Sequence, residues 1–312
     1  MKNAQSENGL SKAYDLLKAG NSEQARVVLE EALSFDLENA EILYTLKCIT
    51  FWADKLKKAK LQSTAYEQGE CLVSQWKPFT VFMEREGQYF EKSMYAVKQG
   101  VFSVALKYYQ AMFNDASVQP NADLYRKIGL CYKKLGDYET ALKYLESANS
   151  ILTDSAAVLA EMADCYALCG EERIAKVLFR EAFFIEPQKV DLTLLDSELI
   201  CNLIEKTEAQ GYSGIILQEW IPVYGVLYGV FSVKRELRAL EIGKLKQSIY
   251  SLENSEKEAG NDEKKLLVPR LINHYFWLID HYFTVNEDRA RINETLLKIK
   301  LLDANIYNKY TM

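Results

Sequence analysis

Two stretches of this 312-residue chain match each other at a constant offset of 34 residues, the distance from Gly136 to Gly170. Within them small residues align with small residues, and large apolar or aromatic residues align with their like. The aligned pairs include Ile128 and Met162, Gly129 and Ala163, Cys131 and Cys165, Tyr132 and Tyr166, Ala141 and Ala175, Leu145 and Phe179, and Ala148 and Ala182. A repeat of this length is typical of paired helices that cannot bury their apolar faces alone, so that copies stack. The pattern predicts an all-α chain of helical hairpins.

Glycine, alanine and proline have defined roles in such a stack. The small residues Gly129 and Ala163 are predicted to let two helices cross closely. Gly136 and Gly170 are predicted to end the first helix of each pair with a positive φ, which glycine adopts at little cost. Pro187 is predicted to stop the second helix of the later pair, because it cannot continue a helix.

These residues resemble the signature of the tetratricopeptide repeat (TPR) family, most strongly over residues 122–189. The resemblance implies a TPR-like right-handed superhelix of stacked hairpins with a divergent helical C-terminal portion. We divide the chain into 1–85 (degenerate N-terminal hairpins), 86–189 (repeats at about 86–121, 122–155 and 156–189) and 190–312 (divergent C-terminal helices). The first of the three repeats is two residues longer, and we assign the extra residues to the loop Asn114–Asn121.

The composition limits the classes of function. A net charge of −6 argues against a general affinity for nucleic acid. The six cysteines include no CxxC pair, and Cys165 with Cys169 would not complete a tetrahedral metal site, so we expect no metal ion and no cofactor. The polar N-terminal residues lack the apolar core of a secretory signal, which favours a cytoplasmic location.

The C-terminal portion contains an apolar stretch and a charged stretch. Ile215–Val233 is interrupted by Pro222, Gly225 and Gly229, so we expect a buried helix rather than a membrane insertion. Gly225 and Gly229 form a GxxxG pair, which is typical of close helix crossing. The charged residues from Glu253 to Lys265 are predicted to form a loop or a disordered segment between the helices Lys234–Ser251 and Leu266–Phe283.

We find no catalytic signature in the sequence. There is no glycine-rich phosphate loop, no GxSxG motif and no HExxH motif. His274 and His281 are seven residues apart and surrounded by aromatic residues, which favours packed histidines. We therefore predict a non-catalytic protein. An enzyme or a small-ligand carrier is the less favoured alternative, and it would show a deep pocket around His274, Trp277 and Tyr282.

The TPR resemblance places partner binding on the concave side, which the first helix of each pair lines. The outward residues predicted for that groove are Phe90, Met94, Val97, Arg126, Leu130, Lys133 and Asp164. An apolar floor beside basic side chains suits a peptide or helix of a partner protein with apolar anchors and an acidic group. In the alternative, the chain's own N- or C-terminal helices cover these residues.

The function that these residues favour is that of a protein–protein interaction scaffold or adaptor. The alternative is a structural or self-assembly subunit, a homo-oligomer included, whose groove is filled by its own chain or by another copy.

Overall fold

The computed structural model describes residues 2–115, 119–234 and 236–312, and these residues form helices and loops without a β-strand. The predicted all-α class is confirmed for this part of the chain. The chain folds as two compact units, Met1–Ile151 and Leu152–Met312. The three segments 1–85, 86–189 and 190–312 were defined by how clearly the repeat signature is present, whereas the two units are defined by compact packing. The division into three segments stays a prediction.

The helices of the first unit are α1 (Lys2–Lys18), α2 (Ser22–Leu33), α3 (Ala40–Lys60), α4 (Ala65–Val73), α5 (Trp76–Glu84), α6 (Glu91–Phe113), α7 (Ala122–Leu135) and α8 (Tyr138–Ile151). The long helix α6 packs against α1, α3, α4 and α7. At Gly100 it lies so close to α1 that an added Cβ would come 2.1 Å from the carbonyl oxygen of Leu17. A residue without a side chain is therefore required at this contact.

The hairpin of α7 and α8 forms as the repeat predicts. The Asn121 side chain accepts a hydrogen bond from the N–H of Leu124 at 2.9 Å and caps α7, and Gly136 ends that helix at φ +90°. A Cβ at Gly129 would lie 2.8 Å from Cγ of Leu145, which confirms a close crossing. The insertion predicted for the loop Asn114–Asn121 falls partly on residues 116–118, which lie outside the described residues.

The helices of the second unit are α9 (Ala156–Leu168), α10 (Glu172–Ile185), α11 (Glu198–Glu208), α12 (Gly214–Leu227), α13 (Ala239–Glu258), α14 (Asn261–Thr284), α15 (Arg289–Leu302) and α16 (Ala304–Thr311). Gly170 follows α9 with φ +84°, and Pro187 lies just beyond the end of α10, as predicted. A continuous apolar core extends from Ala156 on α9 to Ile306 on α16.

The loop predicted for Glu253–Lys265 is wrong. Helix α13 continues to Glu258, and α14 begins at Asn261. Glutamate and lysine have high helix propensity, and here they lie in the last turns of α13 and the first turns of α14 rather than in a disordered segment. The N–H of Gly260, which precedes α14, donates to the carboxylate of Glu263 at 3.1 Å. The helix predicted to begin at Lys234 begins instead at Ala239, and residue 235 is outside the described residues.

The apolar stretch Ile215–Val233 supplies the buried helix α12, as predicted, but its GxxxG pair does not mark a helix crossing. Gly225 packs against the ring of Phe231, where an added Cβ would lie 2.4 Å from Cδ2. Gly229 lies after the end of α12 in a turn with φ +71°. Every helix among the described residues is too short or too polar for a transmembrane segment.

Candidate functional site

The apolar residues predicted for the groove are packed inside the first unit. Met94 and Val97 are buried, and the ring of Phe90 lies 5.2 Å from the ring of Tyr44 between centroids. Val97 lines a small apolar cavity together with Trp52 of α3 and the end of α1. This packing favours the alternative in which the chain's own N-terminal helices cover these residues.

The polar residues predicted for the groove are also largely enclosed, as is the apolar Leu130 beside them. Leu130 and Lys133 are buried, and Arg126 keeps 19% of its side chain exposed beside Asp123, at an N–O distance of 3.6 Å. The structure therefore does not present Arg126 and Lys133 as a pair of exposed cations, and their role in binding stays a prediction.

Asp164 anchors a loop of the second unit. It is fully buried, and its two carboxylate oxygens accept hydrogen bonds from the backbone N–H groups of Asp196 at 2.9 Å and Ser197 at 2.8 Å. These contacts fix the chain just before α11 begins. They give Asp164 a structural role within this unit.

The aromatic region around His274 is a packed interior. His274, Trp277 and Tyr282 are buried, and they line neither the cavity beside Val97 nor the open cleft near Trp220. Nδ1 of His274 lies 2.8 Å from the carbonyl oxygen of Arg270, and Nε2 lies 3.2 Å from Oγ of Ser248. A ring that donates from Nδ1 to the carbonyl can accept the Ser248 hydroxyl proton at Nε2. Both ring nitrogens are thereby satisfied by a neutral imidazole.

We expect His274 to make stability fall in mild acid. Burial lowers the pKa of His274 from 6.5 to about 4. The unfolded chain therefore takes up a proton before the folded chain does, and the contribution of the neutral ring is lost as the pH falls from about 6.5 towards about 4. Between about pH 7 and about pH 5, this loss amounts to about 2 kcal/mol of the free energy of unfolding.

Urea unfolding of the wild type and of His274→Gln over that pH range measures the effect. The other titrating groups are common to both proteins. The difference between the two unfolding free energies therefore reports the contribution of His274. The two curves of unfolding free energy against pH should converge as the pH falls. Parallel curves would contradict the assignment.

An open cleft of about 500 Å³ in the second unit is the candidate functional site. One wall comes from the turn before α12 and from the first turns of that helix, where Ile216 and Trp220 are four residues apart and share a face. The opposite wall is α14. Its lining residues Asn261, Lys264, Lys265 and Val268 recur at helical spacing on one face, followed by Pro269.

The aromatic part of the cleft is preformed. The ring of Tyr212 stacks on the ring of Trp220 with centroids 4.7 Å apart and an interplanar angle of 13°. A stacked aromatic pair contributes about 0.5–1.5 kcal/mol beyond the area that it buries, which helps to hold the two rings in place. Ile216, Val268 and Pro269 extend this apolar surface, so the cleft offers a rigid floor for an apolar side chain.

An ion pair joins the two helices of the cleft, with Glu219 buried on α12 and Arg270 33% exposed on α14. Glu219 follows Gln218 on α12 and is fully buried, and its carboxylate accepts two hydrogen bonds from the guanidinium of Arg270, one from Nε at 3.1 Å and one from Nη2. Gln188 donates a third at 2.9 Å. Glu219 and Arg270 are the sequence neighbours of Trp220 and Pro269. The pair thus fixes the two residues that line the cleft.

The charge of the cleft differs from the charge of the chain. Its lining residues include Lys264 and Lys265 and no acidic residue, in a protein of net charge −6. Lys264 pairs with Glu256 at 2.8 Å, and Lys265 pairs with Asp262 at 2.8 Å. The site therefore combines an apolar floor with basic side chains at one wall.

Sequence reasoning missed these residues because of where it placed them. Lys264 and Lys265 fell in the segment predicted as a loop. Trp220 fell in a stretch predicted to be buried, and it lines the cleft although it is only 6% exposed. The 3–4 spacing from Asn261 to Val268 is a signal that could have extended α14 to its true start.

Comparison of the chain with protein-family models and with curated protein sequences gives no match. The likeness to TPR proteins therefore depends on the residues of this sequence, most strongly those of 122–189. Among the described residues, no group of three or more histidine, cysteine, aspartate or glutamate side chains is arranged to hold a metal ion.

Proposed function

We propose that this chain is a cytoplasmic, non-catalytic protein–protein interaction module, built as a TPR-like right-handed superhelix of hairpins with a divergent C-terminal portion. In this proposal it acts as a scaffold or adaptor, and it binds a short segment of a partner protein in the cleft of the second unit. The observation that carries the proposal is the open, preformed cleft of about 500 Å³ between α12 and α14. Sites of this volume accommodate ligands of a few hundred daltons, including short peptide segments.

Backbone groups at the cleft also suit a peptide. Pro269 has no N–H, so the carbonyl oxygen of Lys265 cannot receive the usual hydrogen bond within α14. Ser213 precedes α12 without making a side-chain cap, so its hydroxyl oxygen accepts no hydrogen bond from the first N–H groups of that helix. The cleft can therefore offer both an acceptor and donors to an extended main chain.

Selection from a displayed library of random short peptides tests the proposal. Ile216→Asp places a charge on the apolar floor, whereas Ile215→Asp changes a neighbour that is 53% exposed and does not line the cleft. We expect peptides selected on the wild type to lose binding to Ile216→Asp and to keep it with Ile215→Asp. Enriched peptides that bind both variants equally, or a library without enrichment, would contradict a peptide site here.

Self-assembly is a second candidate, favoured by an exposed apolar face on α15. Leu297 and Leu301 are 55% and 79% exposed and lie four residues apart. Such a face on a helix is typical of association surfaces. Light scattering of the wild type and of a Leu297→Glu, Leu301→Glu variant decides between a monomer and an assembly.

A further inference from the structure

The two lysines of the cleft are held by weak ion pairs. Lys265 is 58% exposed and its partner Asp262 is 94% exposed, and the two are three residues apart on one helix. Surface pairs of this kind contribute about 0–1 kcal/mol, so Lys265 can exchange its partner for the carboxylate of a ligand at little loss. Lys264 is 37% exposed and pairs with Glu256 of α13, which is 20% exposed. An ammonium group has three donors, so Lys264 can contact a ligand while it keeps Glu256.

The wall formed by α12 also favours an anionic ligand group. No acidic residue lies in the first turn of α12, and Ser213 does not cap it. The first turn of α14, by contrast, carries Asp262 and Glu263, which offset its own dipole. The uncompensated N-terminus of α12 thus adds a partial positive charge on the wall that faces Lys264 and Lys265. Charge complementarity selects an anionic ligand group.

The apolar floor adds a second requirement. Ile216, Trp220 and Val268 present an apolar surface beside the lysines, and a purely ionic ligand would leave it in contact with water. An aliphatic or aromatic side chain next to a carboxylate satisfies both parts of the cleft. This combination of neighbouring groups is common in linear segments of proteins.

We propose, on the basis of the proposed function, that the occupant is a linear segment of a partner protein in which an aspartate or glutamate adjoins a large apolar side chain. The carboxylate pairs with Lys264 and Lys265, and the apolar side chain packs on Ile216 and Trp220. Recognition depends on both groups, because neither the surface cations nor the apolar floor alone supplies much affinity.

The test uses the full chain and peptides with blocked ends that carry the consensus of the library selection. Each peptide is compared with a copy in which aspartate becomes asparagine and glutamate becomes glutamine. We expect the acidic peptide to bind the wild type about tenfold more tightly than its amide copy, and less tightly as salt is raised. Lys264→Glu and Lys265→Glu should abolish this difference. Lys244→Glu, which changes an exposed lysine outside the cleft lining, should keep it.

The outcomes separate the two proposals. Equal binding of acidic and amide peptides, still lost in Ile216→Asp, would overturn the acidic preference and leave the peptide site in place. The same holds if Lys244→Glu weakens binding as much as Lys264→Glu does. Peptide binding that Ile216→Asp leaves unchanged would overturn both proposals. Circular dichroism of each variant establishes that it is folded before binding is compared.

Discussion

Replacing Arg270 with alanine is expected to lower the free energy of unfolding by about 3–5 kcal/mol. The change leaves the carboxylate of Glu219, which is fully buried, without its cation and with Gln188 as its remaining donor among the described contacts. Leaving a buried charge without its partner destabilises the folded state by far more free energy than the pair contributes when it forms. Because Arg270 joins α14 to α12, peptide binding in the cleft should weaken as well. Urea unfolding followed by circular dichroism, together with peptide titration, measures both effects.

A charge-free control separates the lost pair from lost packing. In the double variant Glu219→Met, Arg270→Met, no buried charge remains, and unfolding free energy should return most of the way towards the wild type. The prediction fails if Arg270→Ala stays within about 1 kcal/mol of the wild type, or if the double variant is less stable than the single one.

Replacing Asp280 with alanine should have an effect of the same order, about 3–5 kcal/mol, in the interior of the same unit. Asp280 accepts from the Nη2 group of Arg180, whose side chain is 3% exposed, and also pairs with Lys234 at 2.5 Å. The guanidinium carbon of Arg180 lies 4.6 Å from the ring centroid of Trp277. Without Asp280, the guanidinium keeps the aromatic face but loses its counter-charge in a site with little water.

Lys234 supplies the matched control for Asp280. Its side chain is 46% exposed, so it can return to water when the pair is removed. Lys234→Ala should therefore change unfolding free energy by less than about 1 kcal/mol. Equal losses for Asp280→Ala and Lys234→Ala in urea unfolding would show that burial of Arg180 does not decide the stability of this cluster.

The repeat in the sequence predicted local features well, because single residues determine them. Positive φ at Gly136 and Gly170 follows from the steric freedom of glycine, and both helices end there. The approach at Gly129 follows in the same way from the missing side chain. These predictions need no knowledge of distant segments.

Features that depend on contacts between distant segments were not predictable in this way. Periodicity places Met94 and Val97 on one face of α6, but it does not show that α1 and α3 cover that face. Asp164 lies at a position that the repeat assigns to the groove. Its hydrogen-bond donors are nevertheless the backbone N–H groups of Asp196 and Ser197, which lie more than thirty residues away in the sequence. The cleft forms only because Tyr212 and Lys264, which belong to segments without a shared sequence pattern, come to line the same space.

The close packing of Gly225 on Phe231 has a consequence for sequence variation. The N–H of Phe231 donates to the carbonyl of Gly225 at 2.8 Å, so the turn after α12 returns the ring onto Gly225 in the last turn of that helix. A methyl group at 225 has no room while a six-membered ring occupies 231. In an alignment of homologues, these two positions should covary, with a larger residue at the first tolerated where the second has become small.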